Sequence, residues 1–219
     1  MELRGQGTER LEEAIQTLFP QARIARMDRD TAQGKKLQAL LAKMRHGEID
    51  ILVGTQMVTK GHDFPNVTLV GVLSADAALD FPDFRAAERA FQLLAQVAGR
   101  AGRGQKAGQV FIQTWQPDHR CMTTAREHDD VAFSTWALEE RRRHFYPPFT
   151  FAASVRVDGQ NAGQTEAKAR QTAQAIRRRM NRDVQLRGPT QAAIPMIRGR
   201  HRWAMLLIAK SRPALHEAL

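Results

Sequence analysis

Cysteine is almost missing from this chain of 219 residues: Cys121 stands alone. A single thiol excludes an internal disulfide and any zinc site built from cysteines, and it fits a reducing cytoplasm. Lone cysteines are usually inert core residues, and Cys121 is assigned no role. Aromatic residues are also scarce, 6% in all with one tyrosine and three tryptophans, which leaves little for extensive base stacking. No apolar stretch reaches the roughly 18 residues of a membrane span. The opening MELRGQGTER lacks the apolar run of a signal peptide, so no membrane role is expected. Two phosphate-site signatures are missing as well. No GxxxxGKS/T loop occurs; the nearest stretch, GRGQKAGQV (102–110), has the wrong spacing and no Ser or Thr after its lysine. No acidic DExx box follows a strand to hold magnesium.

Basic residues are what the chain has in excess, and they are unevenly spread. The formal charge is +10. Residues 1–127 hold 17 Lys and Arg against 15 Asp and Glu, whereas residues 128–219 hold 16 against 8. A polyanionic partner is therefore expected for the second part. A solvated surface kept for solubility is the plainer alternative, and the arginine density favours nucleic acid over it. With few aromatics, contact should be to the phosphate backbone and steeply salt-dependent.

The first part alternates between helical and extended patterns. Thr8 is expected to cap a helix whose Leu11, Ile15 and Leu18 form one apolar stripe, with Glu9, Glu12 and Glu13 at its positive end. ARIARM (22–27) reads as a short strand, and a second helix covers about Gln33 to His46 with Gly47 as its stop. IDILVG (49–54), VTLVGVL (67–73) and QVFIQT (109–114) are nearly continuous apolar runs, the pattern of strands buried on both faces. Helices alternating with such strands predict an α/β fold with a parallel sheet covered by helices.

Residues 119–145 read as polar and helical up to FYPPF, where Pro147 and Pro148 stop any helix. Beyond them FTFAASVRV (149–157) alternates like a strand. Residues 161–182 form a helix with Ala169, Ala173, Ile176 and Met180 on one face. VQLRG, AAIPMI and RWAMLLIA supply further strands before a last helix at SRPALHEAL. The division expected is 1–125, a helical connector at 126–148, and a small α+β domain at 149–219 that ends in mid-helix, as a chain cut short would.

The helix expected from about Phe84 to Ala101 carries the first chemical signal. Phe91, Leu94, Ala98 and Ala101 share a face fit for packing on the sheet, while Arg89, Gln96, Arg100 and Arg103 line another. Gly99 and Gly102 let another surface approach, and Gly104 can end the helix. Two guanidiniums on one stripe suit adjacent phosphate oxygens, because each offers fixed donors and stays charged. On spacing alone, a solvated basic helix end favoured by the dipole is the alternative. The second signal is ILVGTQMVTKGHDFPNV (51–67). A strand ends there at Gly54, and Thr55, Gln56, Thr59, Lys60, Gly61, His62 and Asp63 follow at its carboxyl end, where open α/β sheets bind ligands. Thr55 suits a phosphodiester contact and Asp63 a ribose hydroxyl; an ordinary polar loop is the plain reading. His62 has no partner cluster and is rejected as a metal ligand.

GTQMVTKGHDFPNVTLVGVL together with QVAGRAGRG resembles motifs V and VI of superfamily 2 helicases. With GTERLEEAI, DRDT (28–31), AERAFQLLAQ, ERRRHFYPPF and GRHRWAMLLI, the chain resembles the PriA family of primosomal replication-restart helicases over nearly its whole length. The resemblance implies a RecA-like second helicase lobe followed by a small α+β C-terminal domain. The activity implied is that of a 3′→5′ DNA helicase that restarts replication at stalled forks by primosome assembly. Arg100 and Arg103 would face the triphosphate held by the first lobe, one of them as an arginine finger, with Gln96, Gly61 and Asp63 at the same nucleotide interface. Gly7, Thr8, Thr55, Gln56 and Lys60 would meet DNA. Arg177, Arg178 and Arg179 on the 161–182 helix, and Arg198, Arg200 and Arg202 in the strand region, are the basic candidates for DNA in the second part. Val97 stands where many helicases carry an arginine, so any contact made from there is lost.

The cofactors implied are ATP and Mg2+, shared with a first lobe outside this chain, and zinc in the family, for which the chain has no ligands. The partners implied are single-stranded and forked DNA, the acidic C-terminal tail of single-stranded DNA-binding protein, and other primosome proteins, in the cytoplasm. Two alternatives stand beside this reading. One is another superfamily 2 translocase, which the FYPPF junction and the following domain argue against; the other is a non-catalytic DNA- or protein-binding module. Because the phosphate loop and DExx box are missing, the chain by itself should hydrolyse no ATP. A DNA-stimulated ATPase assay is expected to give no turnover above the blank, and turnover would contradict the expectation.

Overall fold

A computed structural model describes residues 7–27, 34–55, 66–99 and 108–219. The chain packs as two compact units, residues 1–77 with 89–128 and residues 78–88 with 129–219. In chain order the first region runs α1 (Gly7–Leu18), β1 (Ile24–Met27), α2 (Gly34–Arg45), β2 (Ile51–Gly54), β3 (Leu69–Val72), α3 (Asp76–Leu79), α4 (Ala86–Ala98), β4 (Gln109–Ile112) and α5 (Arg120–Glu127). β1 pairs with β2 and β3 with β4, both in parallel, as alternating helix and strand patterns require. Arg23 fastens the first pair. Its guanidinium grips the Asp50 carboxylate at 2.6 and 2.9 Å and donates to the Gly47 carbonyl at 2.7 Å. That grip holds the Asp50 carboxyl near 2, well below its usual range, with the Arg23 side-chain bond as the main cause.

Two expectations are corrected. α1 begins at Gly7, so Thr8 lies within its first turn rather than at the cap. β3 and β4 are not buried on both faces either: Leu69 is 60% and Phe111 62% exposed, while their neighbours turn the other way. A short unbroken apolar run looks the same whether one face or two are covered, because alternation is visible only when a polar residue marks the outer face.

In the second unit α6 (Asp130–Arg143) is followed by β5 (Phe151–Gly159), α7 (Ala162–Arg179), β6 (Val184–Ile197), β7 (Arg200–Ala209) and α8 (Arg212–Ala218). The strands form an antiparallel sheet in the order β5-β7-β6. VQLRG and AAIPMI, read as separate strands, are one strand, β6, whose register against β7 shifts after Arg187 and again after Gln191. One face of the sheet carries the core. Ile176 of α7 packs with Val184, Leu207 and Ala209 of the sheet and with Ala214, Leu215 and Ala218 of α8. Ala169 and Ala173 on the same stripe of α7 are fully buried. Gly159 is required where β5 meets α7, since a Cβ there would fall 2.2 Å from the Thr165 hydroxyl.

The junction that reads ERRRHFYPPF is held by several side-chain contacts. Arg141 near the end of α6 is 17% exposed. It pairs with Glu88 in the first turn of α4, donates to the Pro147 carbonyl at 2.8 Å and lies over the Phe84 ring at 5.1 Å. Phe84 stacks on Tyr146 with centroids 4.7 Å apart. Arg187 of β6 lies over Tyr146 and donates to its hydroxyl at 2.7 Å. Removing one member of a largely buried ion pair leaves the other charge uncompensated. Arg141→Ala should therefore destabilise the protein by about 2–4 kcal/mol. In that background Glu88→Ala should cost much less than it does alone; additive losses in urea unfolding would refute the coupling.

Candidate nucleotide and DNA interface

The carboxyl ends of the parallel strands are where this fold gathers ligands. β2 ends at Gly54 and presents Thr55, which is exposed. Thr55 is thus displayed at the strand end, where a phosphodiester contact would need it. Gln56, Lys60, Gly61 and Asp63 lie outside the described residues, as do Arg100 and Arg103. The described turns of α4 divide as their spacing demands: Ala90, Phe91, Leu94 and Val97 are buried, and Arg89 and Gln96 are exposed. The buried stripe runs through Val97, so that position packs into the unit. At the start of α1, Gly7 is exposed and Thr8 half-buried. Beside them the surface is acidic: Glu9 and Glu12 both engage Arg26, at 3.0 and 3.6 Å, and Glu13 lines the same shallow hollow.

One bonded residue near the strand ends was missed from sequence. Asp76, at the start of α3, is buried and accepts from the Thr114 hydroxyl at 2.7 Å and from the Trp115 backbone N–H at 3.0 Å. It therefore ties the segment after β3 to the segment after β4, on the side where their carboxyl ends lie. Burial works to raise its pKa, but the bonds from Thr114, Trp115 and nearby amides outweigh it and hold the carboxyl below its usual value. The only hint in sequence was an aspartate in the small-residue run SADAAL, which reads equally well as a helix cap. Close by, His119 accepts from the Cys121 N–H at 3.2 Å, and its pKa is lowered by burial against the opposing charge of Asp76.

The basic candidates of the second unit separate onto two surfaces. Arg177, Arg178 and Arg179 are exposed at the end of α7, and Arg177 donates to the Gly188 carbonyl at 3.2 Å. Arg200 lies at the start of β7 and donates to the Asp158 carbonyl at 3.1 Å. Residues 205, 207 and 209 of β7 face α7, so Arg200 and Arg202, at even positions, face away from it. The structure therefore does not bring Arg177 and Arg178 together with Arg200.

Two family models match separate regions of the chain. Residues 5–105 match the helicase conserved C-terminal domain, and residues 142–219 match the primosomal protein N C-terminal domain. The replication restart protein PriA of Bacillus subtilis is 42% identical over 216 residues, which cover 98% of this chain and 27% of that protein. PriA of Haemophilus influenzae is 43% identical over 216 residues, 98% of this chain and 30% of its own length. The chain is similar to a C-terminal part of the PriA proteins over nearly its whole length. PriA of Rickettsia conorii is 40% identical over 217 residues, with 33% of its length covered. The chain thus spans about three tenths of the length of the PriA proteins it matches. The helicase match encloses Thr55, Gln96, Arg100 and Arg103, and the PriA-specific match begins at Arg142, beside the FYPPF junction. Among the described residues no helix is long and apolar enough to cross a membrane.

Asp76 offers a pH-dependent test. Its folded-state pKa is depressed, so its carboxylate contributes stability above the ordinary range near 4 and loses it as pH falls through the lower folded value. Asp76→Ala, which leaves the Thr114 hydroxyl and the Trp115 amide short of an acceptor, should cost about 1–3 kcal/mol at pH 7. The gap between wild type and variant in urea unfolding should narrow below pH 4. A gap that stayed constant to pH 3 would contradict the assignment.

Proposed function

We propose that this chain supplies the second motor lobe of an ATP-dependent 3′→5′ DNA helicase that restarts replication at stalled forks in the cytoplasm. Its second unit adds a domain that engages DNA and partner proteins. The observation that carries the reading is the colinear match of 98% of the chain to replication restart proteins, with the helicase region ahead of the PriA-specific domain. In such a motor the nucleotide lies between two lobes, and ATP with Mg2+ supplies the phosphoryl group whose transfer drives movement. The part of this lobe is to place positive charge where negative charge builds up in that transfer, and a guanidinium does so without losing its proton. Arg100 and Arg103 take this role. Gln96, exposed at the end of α4, belongs to the same interface, and Thr55 holds the backbone of the translocating strand. The exposed face of α4 fits such an interface: its polar side is free of the core while Val97 anchors the other side.

Cys121 does not suit a zinc ligand. Cys121 is fully buried, and burial pushes its thiol to about 11, so it stays protonated. Among the described residues no three His, Cys, Asp or Glu side chains cluster as metal ligands. Partner contacts extend the proposal. Forked and single-stranded DNA suit the net charge of the second unit, and the acidic tail of single-stranded DNA-binding protein and other primosome proteins are the protein partners proposed.

The test uses a protein that carries both lobes. Arg100→Ala or Arg103→Ala, whichever is the finger, should lower kcat for DNA-stimulated ATP hydrolysis about 1,000-fold or more. DNA affinity should change little, because the guanidinium acts on the transition state. If neither substitution reduced turnover, the assignment of a motor lobe would fail.

A further inference from the structure

The end of the second unit's sheet carries an arginine cleft that the motor does not account for. Arg156 and Asp158 of β5, Ile197 of β6, Arg200 and Arg202 of β7 and Arg198 in the turn between β6 and β7 enclose an open hollow of about 230 Å³. Four guanidiniums face one carboxylate. Two of them are already committed. Arg202, 13% exposed, pairs with Asp158 at 3.4 Å and reaches the Ile194 carbonyl, so it braces the bulged part of β6. Arg200 donates one bond to the Asp158 carbonyl and keeps its other donors. Arg156 and Arg198 are exposed and have no acidic partner among the described residues.

The turn is shaped for this display. Ile197 pairs with Arg200, leaving Arg198 and Gly199 as a two-residue turn with φ of +50° and +73°. Both positive values define the turn that normally takes Asn-Gly, because a longer side chain is strained at the first position. An arginine there holds its charge at the extreme tip. Ile194, Met196 and Ile197, all exposed, add apolar surface beside it.

We propose that this β6–β7 hairpin is a DNA-backbone site in which Arg156, Arg198 and Arg200 hold phosphates while Ile197 meets the sugar. The proposal rests on the helicase reading for the choice of DNA. The occupant follows from charge and shape together. A surplus of three positive charges calls for a polyanion, and a two-stranded ribbon with a narrow tip is an element that a DNA groove admits. Apolar residues beside basic ones at such a tip are the pairing used where a protein touches both backbone and sugar or base edge.

The experiment measures binding of the full chain to a fluorescent forked oligonucleotide across a salt series. Arg156→Gln, Arg198→Gln and Arg200→Gln are combined in one variant. Lys35→Gln, Lys36→Gln and Lys43→Gln on α2 remove the same charge from the first unit. The hairpin variant should bind about tenfold or more weakly at low salt, and its slope of log affinity on log salt should shrink by about 2. The α2 variant should stay within about threefold of wild type. Arg198→Gly relieves the positive φ, so it should be at least as resistant to urea as wild type while binding more weakly. Equal losses in the hairpin and α2 variants would overturn the inference and leave the helicase reading intact. So would a larger loss from replacing Arg177, Arg178 and Arg179, or equal affinity of the site for a polyglutamate peptide. No binding by the unaltered chain would count against both.

Discussion

A guanidinium held away from water organises the second unit. Arg141 cannot shed its charge, so burying it is tolerable only if carboxylate, carbonyl and ring surround it. Glu88, Pro147 and Phe84 do so, and Phe84 passes the constraint to Tyr146 and then to Arg187 in β6. One Arg141 nitrogen, Nε, is buried without a partner, a residual cost that the other contacts offset. The arrangement fixes how the end of α6 and the turn after it meet the sheet.

The arginines of residues 128–219 are therefore not one population. Arg141 and Arg187 are structural: they fill rings and carbonyls and contribute little field to solvent. Arg202 is mostly buried and neutralised by Asp158. Arg170 pairs with Glu166 along α7, and Arg143 with Glu140 along α6, at the surface. Of those that remain outward, Arg177, Arg178 and Arg179 lie at the end of α7 and Arg156, Arg198 and Arg200 around the β6–β7 turn, on opposite faces of the sheet. Net charge alone points to a polyanion, but the distribution of partners decides which surface can receive it.

The alternation of helices and strands was legible, because periods of 3.6 and 2 are written directly into the order of side chains. So were the stripe of α7, with Ala169, Ala173 and Ile176 buried, and the polar face of α4 carrying Gln96. Less was visible wherever a contact joins distant positions. Asp76 meets Thr114 and Trp115 nearly forty residues away, and nothing local distinguishes it from a helix cap. ERRR looks like a solvated helix end, yet one of its arginines is among the most enclosed charges in the unit. Arg156 reads as an outward residue of an alternating strand, which it is; that it joins Arg198 and Arg200 depends on β5 lying beside β7.

By itself the sequence determined the kinds of elements, the parallel character of the first unit, the basic excess of the second and the motifs that resemble those of PriA proteins. Those properties depend on neighbours along the chain or on sums over it. Only the tertiary structure decided which strand faces are covered, which arginines are spent on internal partners and which are offered to solvent. Each of those outcomes depends on burial and distance between segments far apart in sequence, where the free energy of a charge is set by what surrounds it rather than by what precedes it.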